Sequence, residues 1–241
     1  MINLSHQMAQ IAFTSYMNPK EGKVAYKNMG LKSTFIEKDG AQCYIVWNDF
    51  LYIIAFRGTE PSEFSDIKAD LNALPDRGMS GGWVHNGFQE ELNKIWDQVE
   101  KHKLENYHAI RDFYITGHSL GGAMATLAAS RFSLHELKPT ALYTFGSPRV
   151  GTRSFIKSFN IPHYRFVNNN DIVTSVPFAF LGYKHHGTLQ YINFYGHIRK
   201  LTTWQRIKDQ WRGRKAAFKK GMPFDGAYDH AMKYYVKYTK E

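Results

Sequence analysis

The sequence predicts an α/β fold: a mainly parallel central sheet with antiparallel edge strands and helices on both faces. Three observations carry that prediction. After residue 87, β-rich runs alternate with stretches of helical period, the pattern of βαβ units. Ahead of them, "QCYIVWNDFLYIIAFRG" holds two β-rich runs around Asn48-Asp49, a hairpin signal that adds antiparallel strands. At residues 113–128, "FYITGHSLGGAMATLA", an apolar run stops at a serine set between glycines, and a small-residue helix begins one step later.

The elements follow in order. Residues 3–16 read as a short helix, and residues 61–74, "PSEFSDIKADLNAL", as helical or irregular. In "GFQEELNKIWDQVEKHK" the apolar positions Leu92, Ile95, Trp96 and Val99 recur with a helical period. "DFYIT" is a strand, and residues 119–132 form a helix. "TALYTFGSP" and "PHYRFVNN" read as two further strands, with "TLQYINF" a candidate last one. Residues 201–219 and 226–238 read as helices. With no internal repeat or Gly/Ser linker, residues 1–241 are expected to form one domain, long enough for a sizeable core.

Composition narrows the class. The single cysteine, Cys43, excludes an internal disulfide, so folding does not depend on an oxidising compartment. The first residues, "MINLSHQMAQIAF", lack a basic stretch followed by a long apolar one, so no secretory signal is visible. No apolar stretch approaches the ~20 residues of a membrane span. The chain is therefore expected to be soluble, and cytoplasmic or exported by a signal-independent route. Its net charge is +10, and between Arg199 and Lys220 nine Lys and Arg stand against one acid, Asp209. That segment alone carries +8, a local basic patch.

Gly117-His118-Ser119-Leu120-Gly121 fits G-x-S-x-G with a strand before it and a helix after it, the context the pattern requires. A tight strand-to-helix turn holds the serine in a strained conformation, and the glycines let neighbouring backbone pass. The hydroxyl then stands at a helix N-terminus, where N–H groups and dipole favour negative charge. An ordinary N-cap serine is the plainer alternative. The double glycine and the small-residue helix together weigh against it.

A nucleophilic serine needs a base, and the base an orienting acid; behind a G-x-S-x-G elbow of the α/β-hydrolase kind the chain order is serine, acid, histidine. Asp171 follows a strand in the polar loop of "YRFVNNNDIVTSVP"; a turn aspartate capping the next segment is the competing reading. Asp209, Asp225 and Asp229 are the other downstream acids considered. Among histidines, His135 precedes Asp171 and His163 begins a strand. His185, His186 and His197 are not dismissed on order alone. Order and position favour His230, in "FDGAYDHAMKYY".

Five blocks occur in sequence: "FRGT" at 56–59, "GHSLGGAMATLAA" at 117–129, "TFGSPRVG" at 144–151, "NNNDIVTSVP" at 168–177 and "DHAMKYY" at 229–235. On these the chain resembles the class 3 lipases, the family of the filamentous-fungal triacylglycerol lipases, over roughly residues 40–236. The resemblance implies an α/β-hydrolase fold with Ser119 as nucleophile, Asp171 as acid and His230 as base. It implies that Thr59 supplies oxyanion donors from its N–H and hydroxyl, and Leu120 a second backbone N–H, as acyl transfer requires. It implies no metal and no organic cofactor. It also places a lid helix directly after Thr59, where Phe64, Ile67, Leu71 and Leu74 recur at helical spacing; a surface helix docked on the core fits that pattern equally.

The expected activity is hydrolysis of lipid esters through an acyl-enzyme, as a triacylglycerol lipase, with phospholipase or feruloyl-type esterase as alternatives within the class. A non-catalytic lipid-binding module is the alternative from another class, and the five filled positions argue against it. Nucleic acid is not expected as a partner, because the basic patch lacks a recognisable module. Within residues 199–220, Trp204, Ile207, Trp211 and Phe218 fall on one helical stripe, with basic residues around it. Such a helix suits an anionic membrane or a lipid–water interface. A stripe packed on the core, with solvated lysines, is the other reading.

Overall fold

The computed structural model describes residues 3–59, 75–107, 111–219, 221 and 226–240. Helix α1 (Leu4–Thr14) is capped by Asn3, whose side chain accepts from the N–H groups of Ser5 and His6. Helix α2 (Pro19–Asn28) is capped by Asn18, with proline in its first turn. The expected helix at 3–16 is α1; α2 carried no periodic signal strong enough to be read.

Eight strands form the main sheet. Strands β1 (Lys32–Lys38), β2 (Ala41–Trp47) and β3 (Leu51–Phe56) pair antiparallel in succession. The expected hairpin is β2–β3, where Asn48 Oδ1 accepts from the N–H groups of Phe50 and Leu51. A second hairpin joins β1 to β2 through Asp39-Gly40, both at positive φ. Parallel pairing then runs from β3 through β6 (Asp112–His118), β7 (Ala141–Phe145) and β9 (His163–Asn168) to β11 (Thr188–Ile192). The short β12 (Ile198–Arg199) closes the far edge antiparallel. The mainly parallel sheet with antiparallel edges is therefore as the sequence predicts.

Alternation along the strands feeds two cores. Tyr52, Ile54 and Phe56 pack with Cys43 and Ile45 on one face, against α3 (Asn86–Asn106) and α4 (Leu120–Phe132). Ile53 and Ala55 pack with Tyr44 and Val46 on the other, with Met8 and Ile11 of α1 and Tyr235 of α8 (Met232–Tyr238). A side-chain period of two, met by helices on each face, makes this a three-layer structure. Leu92, Ile95, Trp96 and Val99 of α3 are all buried, as their spacing predicts.

Four strands of two or three residues form a second sheet in the order β10 (Tyr183–Lys184), β8 (Gly151–Thr152), β5 (Trp83–His85) and β4 (Pro75–Arg77). None was read from the sequence. A one-turn helix, α5 (Arg153–Ile156), follows β8. The expected helix at 201–219 is α6 (Thr203–Lys219). The expected helix at 226–238 is two: α7 (Gly226–His230) and α8, broken where Ala231 takes an extended conformation. The two ends of the fold are clasped, since Asn3 Nδ2 donates to the Thr239 carbonyl at 2.9 Å. The segment expected to form a lid, residues 60–74, lies outside the described residues. Among the described residues no helix is long and apolar enough to cross a membrane.

Candidate active site

Ser119 sits between β6 and α4 with φ 58° and ψ −129°, a conformation costly for any side-chain-bearing residue. The neighbouring glycines explain how the turn is tolerated. A Cβ on Gly117 would fall 2.2 Å from the Gly121 carbonyl oxygen, and one on Gly121 would fall 2.2 Å from the Phe56 carbonyl oxygen. Strand end, helix start and β3 thus cross at a spacing that only glycine permits. Below the turn, the Ser119 N–H donates to the Phe145 carbonyl and ties the elbow to β7. From Gly121 to Phe132 every residue of α4 is buried, which the run of glycine, alanine and other small side chains makes possible.

Asp171 and His230 come together at this corner. His230 Nδ1 lies 2.8 and 2.9 Å from the two carboxylate oxygens of Asp171, and both side chains are buried. A Cβ on Gly146, just after β7, would fall 2.6 Å from Asp171 Oδ2 and 2.9 Å from the His230 ring. The pair therefore rests on the backbone beside the serine. Ser119 Oγ is buried and makes no hydrogen bond among the described residues.

The Asp171 carboxylate is further held by two donors. The Val173 N–H reaches Asp171 Oδ1 at 2.9 Å, and the Tyr235 hydroxyl reaches Oδ2 at 2.5 Å. Burial, then the charge of Asp171, pushes the Tyr235 phenol well above its ordinary range, so it stays a donor. The three asparagines ahead of Asp171 anchor the loop. Asn168 Nδ2 donates to the Asp229 carbonyl, Asn169 Nδ2 to Asp209 Oδ2, and the Asn170 N–H to Asp229 Oδ2. The loop of Asp171 is thereby joined both to the segment of His230 and to α6.

His118, beside the serine, holds His230 from the other side. Its Nε2 is 2.7 Å from the His230 carbonyl oxygen and its Nδ1 is 2.7 Å from the Tyr16 hydroxyl. Burial, and then the nearby His230, push its pKa well below the ordinary imidazole range, so it is neutral. A carbonyl only accepts, so Nε2 carries the proton and Nδ1 accepts from Tyr16. The two imidazole rings lie 4.4 Å apart between centroids.

Leu120 directly follows the serine, and the backbone of Gly58, ahead of Thr59, passes close beside it. Leu120 opens α4, and a Cβ on Gly58, which precedes Thr59, would fall 3.1 Å from Ser119 Cβ. The remaining candidates lie elsewhere. His135 pairs with Glu100, and His163 bonds Thr144 and His186. His185 bonds the Thr174 carbonyl, and His197 sits in the turn between β11 and β12. Asp209 bonds Asn169, and Asp225 lies outside the described residues. Sequence reasoning missed His118, Tyr16 and Tyr235. The second tyrosine of "DHAMKYY" was on the page as family pattern, without a role.

A strand–elbow–helix serine near a buried Asp–His pair, on a mainly parallel sheet with helices on both faces, is the architecture of the α/β-hydrolase fold. The family model for class 3 lipases matches residues 53–181, and the chain belongs to that family. Toxin TseL of Vibrio cholerae is 36% identical over 180 residues, covering 57% of this chain and 28% of that protein. The structure of the Rhizomucor miehei triacylglyceride lipase superposes with a TM-score of 0.71 at 27% identity, covering 79% of this chain and 80% of that one. A triacylglycerol lipase whose catalytic centre is a serine protease triad superposes at 0.67 with 28% identity, over the same shares. The chain spans less than half the length of the curated relatives it matches.

Proposed function

We propose that the chain is a serine-dependent carboxylic ester hydrolase acting on lipid esters, a triacylglycerol lipase. The observation that carries this reading is the Asp171–His230 pair seated beside an elbow serine. In it, His230 Nε2 takes the Ser119 proton as Oγ bonds to the ester carbonyl carbon. The N–H groups of Thr59 and Leu120 hold the oxyanion, with the Thr59 hydroxyl beside them. His230 then protonates the leaving alcohol, and the acyl group stays on Ser119. Water, deprotonated by His230, attacks the acyl-enzyme and releases the acid. Asp171 holds Nδ1 protonated, so that Nε2 is the basic nitrogen. The family, and relatives that are lipases, support the lipid-ester substrate. Residues 199–220 are the element through which the enzyme meets the lipid surface.

The test is a hydrolysis panel of short p-nitrophenyl esters, emulsified triacylglycerol and phospholipid vesicles. All activity should depend on Ser119, with Ser119→Ala losing on the order of 10⁴-fold or more in kcat. His230→Ala should lose nearly as much and His197→Ala almost nothing. Activity retained in Ser119→Ala overturns the assignment, and cleavage of phospholipid alone replaces the substrate.

A further inference from the structure

Helix α6 lies beyond the residues that match the family, and nothing in that match gives it a role. The stripe Trp204–Ile207–Trp211–Phe218 was open to two readings, buried against the core or turned outward. Relative exposures of 64, 38, 67 and 78% settle it: the stripe faces out. The inward face is Asp209, Gly213 and Ala217. A Cβ on Gly213 would fall 2.4 Å from Asn169 Oδ1, so the helix docks closely on the loop of the triad acid. A row of exposed tryptophan, isoleucine and phenylalanine on a monomer's helix marks a surface that is covered in use.

Charge identifies the cover. The one acid of residues 199–220, Asp209, is buried and accepts from Asn169, Tyr191 and the Phe194 N–H. It contributes nothing to the outer face. Lys208, Arg212, Arg214, Lys215 and Lys219 are exposed around the stripe, and Lys208 Nζ stands 5.4 Å from the centre of the Trp204 ring. The face is therefore apolar along its middle and purely cationic at its flanks. Nucleic acid would satisfy the cations and leave the stripe wet. A bilayer bearing anionic phospholipid satisfies both, with aromatic rings at head-group depth and ammonium and guanidinium groups against phosphate.

We propose that α6 is an anionic-membrane seat, built rigidly onto the loop that carries Asp171. The inference deepens the reading of the chain as a lipid-ester hydrolase, and rests on it for its purpose. Attachment through α6 fixes the pose of the triad relative to the bilayer, because Asp209 and Gly213 leave no slack between helix and loop.

The experiment is co-sedimentation of the full chain with vesicles of phosphatidylcholine alone and of phosphatidylcholine mixed equally with phosphatidylglycerol, at low and high salt. The same samples are assayed on a soluble short-chain ester. The expected result is salt-sensitive binding to the anionic vesicles and little to the neutral ones. Exchanging Lys208, Arg212, Lys215 and Lys219 for glutamine should weaken anionic binding about tenfold or more. Trp204→Ala with Trp211→Ala should weaken it at high salt, where charge is screened. Both variants should keep the wild-type melting temperature, as exposed substitutions do. Equal binding to the two vesicle types, no binding, or preferential binding of duplex DNA under the same conditions overturns the seat. Vesicle binding by a wild-type chain that leaves the soluble ester intact would overturn the hydrolase reading while keeping the seat.

Discussion

Asp209 accepts a hydrogen bond from the side-chain amide of Asn169 at 2.8 Å, two residues before Asp171. With Gln210 Nε2 donating to the Asn169 carbonyl and Asn170 Nδ2 to the Gln210 carbonyl, this contact joins the basic helix to the loop of Asp171. Asp209→Ala should leave two buried donors, on Asn169 and Tyr191, and the part-buried Phe194 N–H without their acceptor. A stability loss of about 2–4 kcal/mol is expected. Denaturant unfolding measures it, and kcat on a soluble ester should fall along with it as the Asp171 loop loosens.

Tyr235→Phe tests the second donor to the acid. The change removes the hydroxyl from Asp171 Oδ2 and leaves the Asn168 N–H, which it also receives, buried without an acceptor. Stability should drop by about 1–3 kcal/mol. If about 1 kcal/mol of that reaches the transition state, kcat falls roughly fivefold. KM for a soluble ester should hardly move, because the phenol touches no substrate.

Gly121→Ala tests the elbow. The new methyl meets the Phe56 carbonyl oxygen at 2.2 Å and the Arg57 carbonyl carbon at 2.8 Å, both backbone atoms that cannot swing aside. A loss of about 3 kcal/mol or more is expected. A thermal melt by circular dichroism checks it; a wild-type melting temperature would contradict the close crossing described above.

Acid should destabilise the fold early. His85, His118 and His163 are buried, and burial lowers the pKa of each, to about 4 for His85 and well below the usual imidazole range for the other two. A lowered histidine pKa means that below about pH 6.5 the unfolded chain takes up protons that the folded chain refuses. Stability is therefore complete above that pH and lost as pH falls through it, by about 1.4 kcal/mol per pH unit for each histidine. The window runs from about 6.5 down to about 4 for His85 and lower for the other two. Melting temperatures at steps from pH 8 to pH 5 would show the decline; a flat profile would mean that these imidazoles accept protons in the fold.

Much of this was legible in the chain, for physical reasons that can be named. Strands of five to seven residues are long enough to stand out as apolar, β-rich runs, as β2 and β3 do. The two-residue strands β8 and β10 do not, so the second sheet was invisible. Asp39-Gly40 was a readable turn that went unread. The elbow could be recognised because close crossing demands glycine at fixed offsets. The Val173 N–H lies two residues beyond Asp171, the local contact of an aspartate that caps the next turn, whereas Tyr235 reaches the carboxylate through packing, which spacing does not show. The stripe on α6 was plain from its period, yet periodicity states which residues share a face and not which way the face turns. That required Asp209, whose burial in a basic helix orients it.

The clasp between Asn3 and Thr239 is a lever on the Asp171–His230 pair. Met8 and Ile11 of helix α1 share a core with Tyr235, whose hydroxyl donates to Asp171, and His230 stands just ahead of the helix that carries Tyr235. The segment bearing the imidazole is thus braced by residues more than two hundred positions away along the chain. A substitution at Asn3, remote from Ser119 in sequence, would be felt at that pair.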